Sequence, residues 1–581
     1  MKKFGSPSRV VCLALTFAAC SSTESPGGSG TTSTGGAPGP GFSGAPGAAG
    51  VTGTTGGGGS TLPPANGGNS GVSPSGGAVA TNGGSGGAAA GTSTGGASSV
   101  MQGGSSGMAV GNGGSSPGGA PSTGGATTAG GTPSAGGSGG AETVAEPVLV
   151  TSVNNAFWKV GTPTEVTGNA DITVNDTQVL QDWTGFGGTF NEKGWDALGA
   201  LSEADRDLAI KLLFDKVDGA NFVSGRIPIG ASDYAMDRYT LNDNAGDNAM
   251  EKFSIDRDRM RLIPYIKAAM AVRSDIRFWG SPWTPPPWMK SNNAYDRGTM
   301  KNDPTTMQAL ALYLTRFVEE YGKEGIKIDV IHPQNEPGYA QDYPSCGWTG
   351  AQMADFIKTY LQPTFTEHNL PTKIFCGTMS NPTVDKDILN AVVADAGAKA
   401  VIKGFGLQWG MRDAYGQANL DKSLEIWQTE HQCGNFPNGN NANKAPNDFA
   451  YGVESWGYLR DWIKKGVNHY SAWNMVLDTV GRSLDTVRPW AQNALLVVDV
   501  SGKKLIATPA YYVFRHFSQY TDSGGKVVGT SSNDAIAFKN PDGTIVAVIY
   551  ANAAKTITVA IGGKKLQFQM PGQGWATLNV K

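Results

Sequence analysis

The positions of hydrophobic and polar residues divide the chain after residue 147 into three parts. Residues 148–180 alternate apolar and polar positions between Gly, Pro and Asn breaks, which is typical of short β-strands. Residues 183–510 repeat an apolar run, a loop and a helical period. Short alternating runs joined by turns return after residue 511. This order predicts an α/β fold, a (β/α)8 TIM barrel with a β-sandwich side domain built from segments on both sides of the barrel.

Eight apolar runs are the predicted barrel strands, at 184–189, 222–229, 276–280, 328–333, 373–377, 401–408, 424–429 and 469–473. Helical periodicity lies between them, at 203–214, 256–272, 305–321, 352–360, 384–394 and 449–464. The predicted domains are the sandwich at 148–182 and 511–581 and the catalytic barrel at 183–510.

The first 20 residues have the pattern of a signal peptide. Lys2, Lys3 and Arg9 precede an apolar run at 10–19, which is too short to remain as a membrane-spanning helix. Residues 17–20 (FAAC) resemble a bacterial lipobox, although the family of such motifs usually has Leu at the first position. We expect lipid modification of Cys20 and an outer-membrane or cell-surface location, with plain secretion as the alternative.

Residues 21–147 form a linker rich in Gly, Ser, Ala, Thr and Pro. Such a segment buries too little apolar surface to offset its conformational entropy, so it is predicted to be disordered. As a Gly/Ser coil it would span roughly 60 Å between its ends. Held by a lipid, it would let a folded domain move above the cell surface.

Two glutamates carry the candidate chemistry. Glu336 follows the predicted fourth strand and Glu430 the predicted seventh. Active sites of (β/α)8 barrels lie at the carboxyl ends of the strands, which makes this pair a candidate for catalysis. Either glutamate taken alone could equally be a structural hydrogen-bond acceptor. The 14 Trp, 17 Tyr and 21 Phe provide flat surfaces for sugars, although most such rings are core residues.

Four motifs in order resemble glycoside hydrolase family 30: residues 185–190 (GFGGTF), 226–234 (RIPIGASDY), 281–290 (SPWTPPPWMK) and 334–337 (QNEP). That family includes glucosylceramidases, endo-β-1,6-glucanases and xylanases, and the resemblance covers residues 148–581. It implies a retaining enzyme with Glu336 as acid and base and Glu430 as nucleophile. Two carboxyl groups in different protonation states provide the proton and the negative charge that acetal cleavage requires.

The resemblance also implies substrate-binding positions, which are Arg226, Asp233, Trp283, Asn335 and Trp473. Trp409, which follows the sixth strand, is expected to join them. Asn335 would bond the 2-hydroxyl of the sugar, and Arg226 would pair with the nucleophile and keep it ionised. Asp233 would bind sugar hydroxyls, or alternatively cap a turn.

Two further candidate positions depart from the family. Gln408 stands where many members have His, which replaces a titratable group by an amide and argues against the glucosylceramidase branch. His431 directly follows the candidate nucleophile and either contacts substrate or bonds the backbone.

Three cysteines follow the signal region. Cys346 and Cys433 lie shortly after the two glutamates, so we expect loops over the active face and a disulfide between them, which an oxidising location would permit. Cys376 is predicted to be buried in the fifth strand. No His or Cys spacing suggests a metal site and no Gly-rich loop suggests a phosphate site, so no metal and no cofactor is expected.

The charge balance narrows the choice of partner. A net charge of −3 and a pI near 6.0 give no indication of nucleic acid, and membrane contact is expected only through the lipid anchor. We therefore expect a monomeric retaining β-glycoside hydrolase that cleaves a β-linked glycan such as a glucan. One alternative is a glucosylceramidase-type exo-β-glucosidase. Another is a surface-tethered carbohydrate-binding protein without catalytic activity, although the presence of both glutamates argues against it.

Overall fold

The computed structural model describes residues 147–434, 447–485, 487 and 491–581. The predicted signal peptide, Cys20, and the linker up to residue 146 lie outside these residues, as does most of the loop at 435–448. In the described part of the chain, no helix has both the length and the apolar character needed to cross a membrane.

The chain enters the fold through four strands: β1 (Val148–Val153), β2 (Ala156–Gly161), β3 (Thr164–Glu165) and β4 (Ile172–Asp182). Eight parallel strands then close into a barrel: β5 (Gly185–Thr189), β6 (Ser224–Ile229), β7 (Arg277–Pro282), β8 (Ile328–Ile331), β9 (Lys373–Met379), β10 (Gly404–Gln408), β11 (Glu425–Glu430) and β12 (His469–Asn474). The barrel closes where β12 pairs with β5, beginning at His469 and Gly185.

Nine more strands follow: β13 (Val476–Asp478), β14 (Leu496–Asp499), β15 (Lys504–Ala507), β16 (Lys526–Thr530), β17 (Ala535–Lys539), β18 (Ile545–Ala551), β19 (Lys555–Ile561), β20 (Lys564–Met570) and β21 (Gly574–Val580). The first three form a small sheet of their own and the last six belong to the sandwich. The predicted fold class, a TIM barrel with a β-sandwich, is confirmed.

The described helices are α1 (Glu192–Leu198), α2 (Glu203–Phe214), α3 (Asp256–Met260), α4 (Leu262–Val272), α5 (Pro304–Lys323), α6 (Gly350–Asp355), α7 (Gln362–Glu367), α8 (Val384–Ala394), α9 (Ala396–Val401), α10 (Phe449–Lys465) and α11 (Pro509–Ser518). A π-helical turn, Phe356–Leu361, joins α6 to α7. Local sequence sets the ends of α10, because the Asp448 side chain accepts a bond from the Tyr451 amide and Gly466 ends the helix at φ +102°.

The glycines of the first barrel strand permit close packing. A Cβ on Gly187 would lie 2.3 Å from the Ser224 carbonyl oxygen, and one on Gly188 would lie 2.4 Å from Cγ of Met475. Bulkier residues would push the first strand away from its neighbours, which explains the glycines in the motif at 185–190.

Both ends of the chain build the sandwich together. In the order β2-β1-β21-β18-β17-β16-β4-β19-β20-β3, strand β1 lies beside the last strand and β4 pairs with both β16 and β19. Because β4 spans 11 residues and shifts register along its length, its two ends reach different neighbours. The apolar faces meet in a core that contains Ile172, Val559 and Leu578.

The barrel and the sandwich share a continuous apolar core. Trp183, at the entrance to the first barrel strand, packs its ring 5.3 Å from that of Phe538 in β17. His516, on the last helix, bonds Thr577 in β21 and Ser152 in β1, each at 2.8 Å. The Thr577 hydroxyl donates to the His516 carbonyl, so its oxygen accepts from the Nδ1–H of the ring. Burial favours the neutral ring, in which Nε2 accepts from the Ser152 hydroxyl.

Removal of His516 should change the pH dependence of stability. Burial lowers the pKa of His516 to about 3, whereas an unfolded histidine has a pKa of about 6.5. Unfolding therefore takes up a proton between these values, and stability that is present above pH 6.5 is lost as the pH falls towards 3. At pH 5, H516Q should lower the slope of unfolding free energy against pH by about 1.4 kcal/mol per pH unit in urea denaturation. An unchanged slope would contradict the neutral-ring assignment.

Candidate functional site

Aromatic rings fill the barrel below the candidate site. Trp279 of β7, Phe375 of β9 and Trp427 of β11 cluster with Val330 inside the barrel, and Trp279 lies 5.9 Å from Trp427 between ring centroids. The guanidinium carbon of Arg226 lies 5.2 Å from the Trp279 ring. The apolar cluster therefore packs directly beneath the guanidinium of Arg226 and leaves no space there for solvent.

Arg226 of β6 holds the centre of the site and is fully buried. Its Nη1 donates to Oε2 of Glu430 at 2.7 Å, and its Nη2 donates to Oδ1 of Asn335 at 2.6 Å. Ser281 and Thr378 accept further bonds from the same guanidinium. The arginine thus fixes groups from four other barrel segments relative to one another.

Glu336 occupies a strained backbone position. Its φ is +47°, in the left-handed region that non-glycine residues rarely adopt. The Glu336 amide donates to the Thr378 carbonyl at 2.9 Å, and the Tyr339 amide donates to the Glu336 carbonyl at 3.0 Å. These bonds hold the turn that directs the Glu336 side chain into the pocket, and such strain is often found at functional positions.

The two predicted catalytic glutamates line one pocket. With them lie Asp233, Trp283, Asn335, Tyr343, Trp409 and Gln492. The side chains of Glu336 and Glu430 come from loops or strand ends on opposite parts of the barrel, after the fourth and the seventh strand. The structure therefore brings together most of the residues that the sequence singled out.

Burial raises the pKa of both glutamates, and the charge of Glu336 adds to the rise at Glu430. The guanidinium of Arg226 opposes this rise at Glu430, to which it bonds directly. The Tyr343 hydroxyl donates to Oε2 of Glu336 at 3.0 Å, a weaker compensation than an ion pair. The ion pair therefore favours the charged form of Glu430 more strongly than the hydrogen bond favours that of Glu336.

Asp233 is a third buried carboxyl beside this pair. Burial raises its pKa well above the usual range, and the charges of Glu430 and Glu336 add to the rise. Its Oδ1 has no hydrogen-bond partner among the described residues. A buried carboxyl with an unpartnered oxygen at a pocket wall can form hydrogen bonds to a hydroxyl-bearing ligand.

The amide of Asn335 has a defined orientation. Its Oδ1 accepts bonds from Arg226, from Thr378 at 2.9 Å and from Nε2 of Gln408 at 2.7 Å. The amide nitrogen is therefore left to face the pocket that Asn335 lines. Gln408, expected to bind substrate, is fully buried and does not line this pocket. The structure corrects that expectation, because Gln408 donates a hydrogen bond to Oδ1 of Asn335 and does not itself line the pocket.

The predicted aromatic residues have two different places: Trp283 and Trp409 line the pocket, and Trp473 packs behind one of them. Trp283 and Trp409 line the pocket, and the indole of Trp409 bonds Glu430. Trp473 stacks on Trp283 with centroids 5.2 Å apart and lies outside the lining set. The face of Trp283 also lies 4.2 Å from the guanidinium carbon of Arg226. Trp473 therefore fixes the wall and does not itself form it.

His431 points away from the pocket. Its Nδ1 lies 2.5 Å from the hydroxyl of Tyr470 and its Nε2 lies 3.1 Å from that of Ser455 on α10. Successive side chains of a strand point in opposite directions, so a residue next to the inward Glu430 faces the outer helices. Burial lowers the pKa of this ring to about 3. The expectation that His431 contacts substrate is thereby corrected, and its partners are side chains.

The expected disulfide is not formed, which is a further correction. Cys346, Cys376 and Cys433 are all free and buried. Cys346 packs in the main apolar core, whereas Cys433 packs in a separate cluster with Trp283 and Trp473. Sγ of Cys433 lies 3.0 Å from the His431 carbonyl. Position shortly after each glutamate therefore does not bring the two thiols together.

Some residues of the site were not identified from the sequence. Tyr343 and Gln492 line the pocket, and Ser281 and Thr378 support Arg226 and Asn335. Tyr343 lies seven residues after Glu336 in an aromatic loop, a signal that the sequence contained. Nothing in the local pattern points to Gln492, which reaches the site from beyond the eighth strand. Among the described residues, no group of His, Cys, Asp and Glu has the arrangement of a metal site.

Comparisons with known proteins agree with this architecture. The profile of the glycosyl hydrolase family 30 TIM-barrel domain matches residues 183–521, and that of the family 30 beta-sandwich domain matches residues 523–578. The TIM-barrel profile thus includes α11, whereas the boundary predicted from the sequence lies at residue 510.

Two curated proteins and one solved structure illustrate the similarity. The chain is 24% identical to lysosomal acid glucosylceramidase of Mus musculus over 68% of its own length and 80% of the relative. It is 26% identical to endo-1,6-beta-D-glucanase BGN16.3 of Trichoderma harzianum over 69% of its own length and 84% of the relative. The structure of SrfJ from Salmonella typhimurium has a TM-score of 0.67 at 22% identity, and the match covers 75% of this chain and 99% of that one.

Proposed function

The chain belongs to glycosyl hydrolase family 30 and is an O-glycoside hydrolase, and on this basis we propose that it cleaves a β-linked glycan with retention of anomeric configuration. In this proposal Glu430 is the nucleophile and Glu336 is the general acid and base. The observation that carries the assignment is the bond from Arg226 to Glu430, because it stabilises negative charge on one of two buried carboxyls.

The proposed reaction has two displacements. Glu336 donates its proton to the leaving oxygen while a Glu430 oxygen attacks the anomeric carbon, which gives a glycosyl-enzyme and a free alcohol. Glu336, now ionised, removes a proton from water, and that water displaces Glu430. The nitrogen of Asn335 and the carboxyl of Asp233 provide hydrogen bonds to hydroxyls of the sugar, and Trp283 provides an apolar wall.

A glucan is our preferred substrate class. One relative is named an endo-1,6-β-D-glucanase and another a glucosylceramidase, so the family alone leaves both classes open. Gln408 in place of the family's usual His supports a branch other than the glucosylceramidases. A tethered enzyme would also meet external polymers.

Replacing each glutamate should separate the two proposed roles. Product release would be measured on β-1,6-glucan, β-1,3-glucan, xylan, galactan and glucosylceramide, with the anomer determined by NMR. E336Q should lower kcat/KM on a cleaved substrate by roughly 10²–10⁴, and E430Q should abolish turnover because no glycosyl-enzyme forms. Glu425 lies on the same strand as Glu430 and outside the pocket. E425Q is therefore the control, and full activity of E430Q would refute the mechanism.

Tyr343 should set the alkaline limit of activity. Its hydroxyl stabilises the ionised form of Glu336 and so lowers the pKa of that carboxyl. Y343F should therefore raise this pKa and move the alkaline limb of kcat/KM against pH upward by about one unit or less. The buried hydroxyl of Tyr265 has no partner among the described residues. As the control, Y265F should leave the alkaline limb of kcat/KM at the same pH. A shift of that limb to lower pH in Y343F would contradict the assignment of Glu336 as the acid.

We also propose that the enzyme works outside the cytoplasm, held by lipid on Cys20. The support is the charged and apolar pattern of residues 1–20 followed by the linker. In cell fractionation of a bacterial host, the wild type should sediment with membranes and C20S should become soluble. Equal membrane association of both proteins would count against the anchor.

A further inference from the structure

Lys290 is a buried cation to which the proposed reaction gives no role. It ends the motif at 281–290, and its side chain is fully buried. Among the residues that the structure describes, no carboxylate lies within ion-pair distance of its ammonium, and the neighbouring Asp296 is paired with Arg238 at 2.7 Å. Burying a charge without a counter-ion is costly, so the hydrogen bonds around Lys290 have to be complete.

The ammonium of Lys290 joins two long connections of the barrel. Its Nζ donates to Oγ1 of Thr284 at 2.9 Å, to the Tyr295 carbonyl at 2.7 Å and to the Ser345 carbonyl at 2.7 Å. Thr284 and Tyr295 belong to the connection between β7 and α5, and Ser345 belongs to that between β8 and α6. All three N–H groups of the ammonium are thereby used, and one atom ties the two connections together.

The tie at Ser345 controls a turn that carries Tyr343. The amide of Gln341 donates to Oγ of Ser345 at 3.0 Å, and the same Oγ donates to the Gln341 carbonyl at 3.1 Å. Tyr343 lies at the centre of this turn, and its hydroxyl donates to Oε2 of Glu336 at 3.0 Å. The place of that hydroxyl therefore depends on the turn 341–345, whose last carbonyl Lys290 binds.

The tie at Thr284 lies beside another wall of the catalytic pocket. Thr284 directly follows Trp283, and the rings of Trp283 and Tyr343 pack in one buried cluster. Both rings line the pocket, whereas Lys290 does not. Lys290 thus lies behind two wall residues and is bonded to the backbone or side chain next to each.

We propose that Lys290 is a positioning residue of the catalytic pocket, whose ammonium holds the turn 341–345 and thereby keeps the Tyr343 hydroxyl against Glu336. The proposal rests on the role of Glu336 as the acid. Without the ammonium, the turn loses its tie to the connection after β7, and the hydrogen bond that favours the ionised form of Glu336 is weakened.

Other charged and titratable groups surround both residues and are kept the same in every comparison. Those that act on or respond to Glu336 are Arg226, Asp233, Tyr339, Tyr343, Asp385 and Glu430. Those that act on Lys290 are Asp296 and Cys346.

The first experiment measures kcat/KM against pH for K290M on a cleaved substrate. Methionine keeps much of the aliphatic length and removes all three donors. Displacement of Tyr343 should raise the pKa of Glu336, so the alkaline limb should move upward by about one unit or less. At the optimum, kcat/KM should fall roughly tenfold because the acid is less well placed. K301M is the matched control, since the exposed Lys301 donates to the Trp288 carbonyl in the same connection, and it should change kcat/KM by less than about twofold.

A double variant separates positioning from a direct effect of charge. Loss of the ammonium charge would by itself raise the pKa of Glu336. If Lys290 acts through Tyr343, the alkaline limb of K290M/Y343F should lie where Y343F places it, because the hydrogen bond is already absent. If the charge acts directly, the two shifts should add. The profiles are compared below pH 8, because burial lowers the pKa of Lys290 to about 8 and the ammonium keeps its proton below that pH.

Hydrogen exchange followed by mass spectrometry tests the tie without reference to catalysis. The peptide that contains residues 341–347 should exchange at least about tenfold faster in K290M than in the wild type or K301M. T284V removes one acceptor and leaves the lysine in place. If K290M does not fold, T284V should give the same changes at smaller size.

The outcomes separate this proposal from the mechanism on which it rests. Unchanged exchange, additive shifts, or faster exchange with an unmoved alkaline limb would each overturn the positioning role. If Y343F alone moved the limb to lower pH or left it in place, Glu336 would not be the acid and the proposed function would fail. The exchange of residues 341–347 would then decide alone whether Lys290 holds the turn.

Discussion

The ion pair between Arg226 and Glu430 is the interaction on which the site depends. Burying a charge costs several kcal/mol unless its partners and hydrogen bonds are complete. Here the guanidinium bonds Glu430, Asn335, Ser281 and Thr378, and its faces lie against tryptophan rings. Because all three guanidinium nitrogens donate hydrogen bonds, the arginine has little freedom to move. Residues from β7, β9 and β11 and from the loop after β8 thus take their positions from one side chain on β6.

The same arginine creates the electrostatic asymmetry of the pocket. Asp233, Glu336 and Glu430 are three buried carboxyls around one buried cation, so full ionisation of all three would leave uncompensated charge. Burial raises the pKa values of all three carboxyls, and the direct bond from Arg226 opposes this rise at Glu430. Two identical side chains, Glu336 and Glu430, therefore differ in how strongly their surroundings favour the charged form. This asymmetry agrees with the roles that we propose.

Periodicity predicted the parts of this structure that local sequence controls. The eight apolar runs became barrel strands, and Glu430 ends β11 whereas Glu336 lies in the loop that follows β8. The direction of His431 could also have been predicted, since it is adjacent to the inward Glu430. The features that the sequence did not predict depend on packing between distant parts of the chain. The loop after β8 folds so that Cys346 and Cys433 lie in different apolar clusters. Strands β13, β14 and β15 pair with one another across a loop, and the hydrophobic period of the sequence does not predict that pairing.

The sandwich packs against one side of the barrel. Sandwich strands pack against the start of β5 and against α10 and α11, which follow the seventh and eighth barrel strands. In a closed ring of eight strands, β8 is four positions away from β12 and therefore lies across the barrel from it. The loop after β8, which carries Glu336, thus lies on the side of the barrel away from these contacts. The shared core therefore stabilises the barrel on the side of β12 and β5, and none of these contacts reaches the loop after β8.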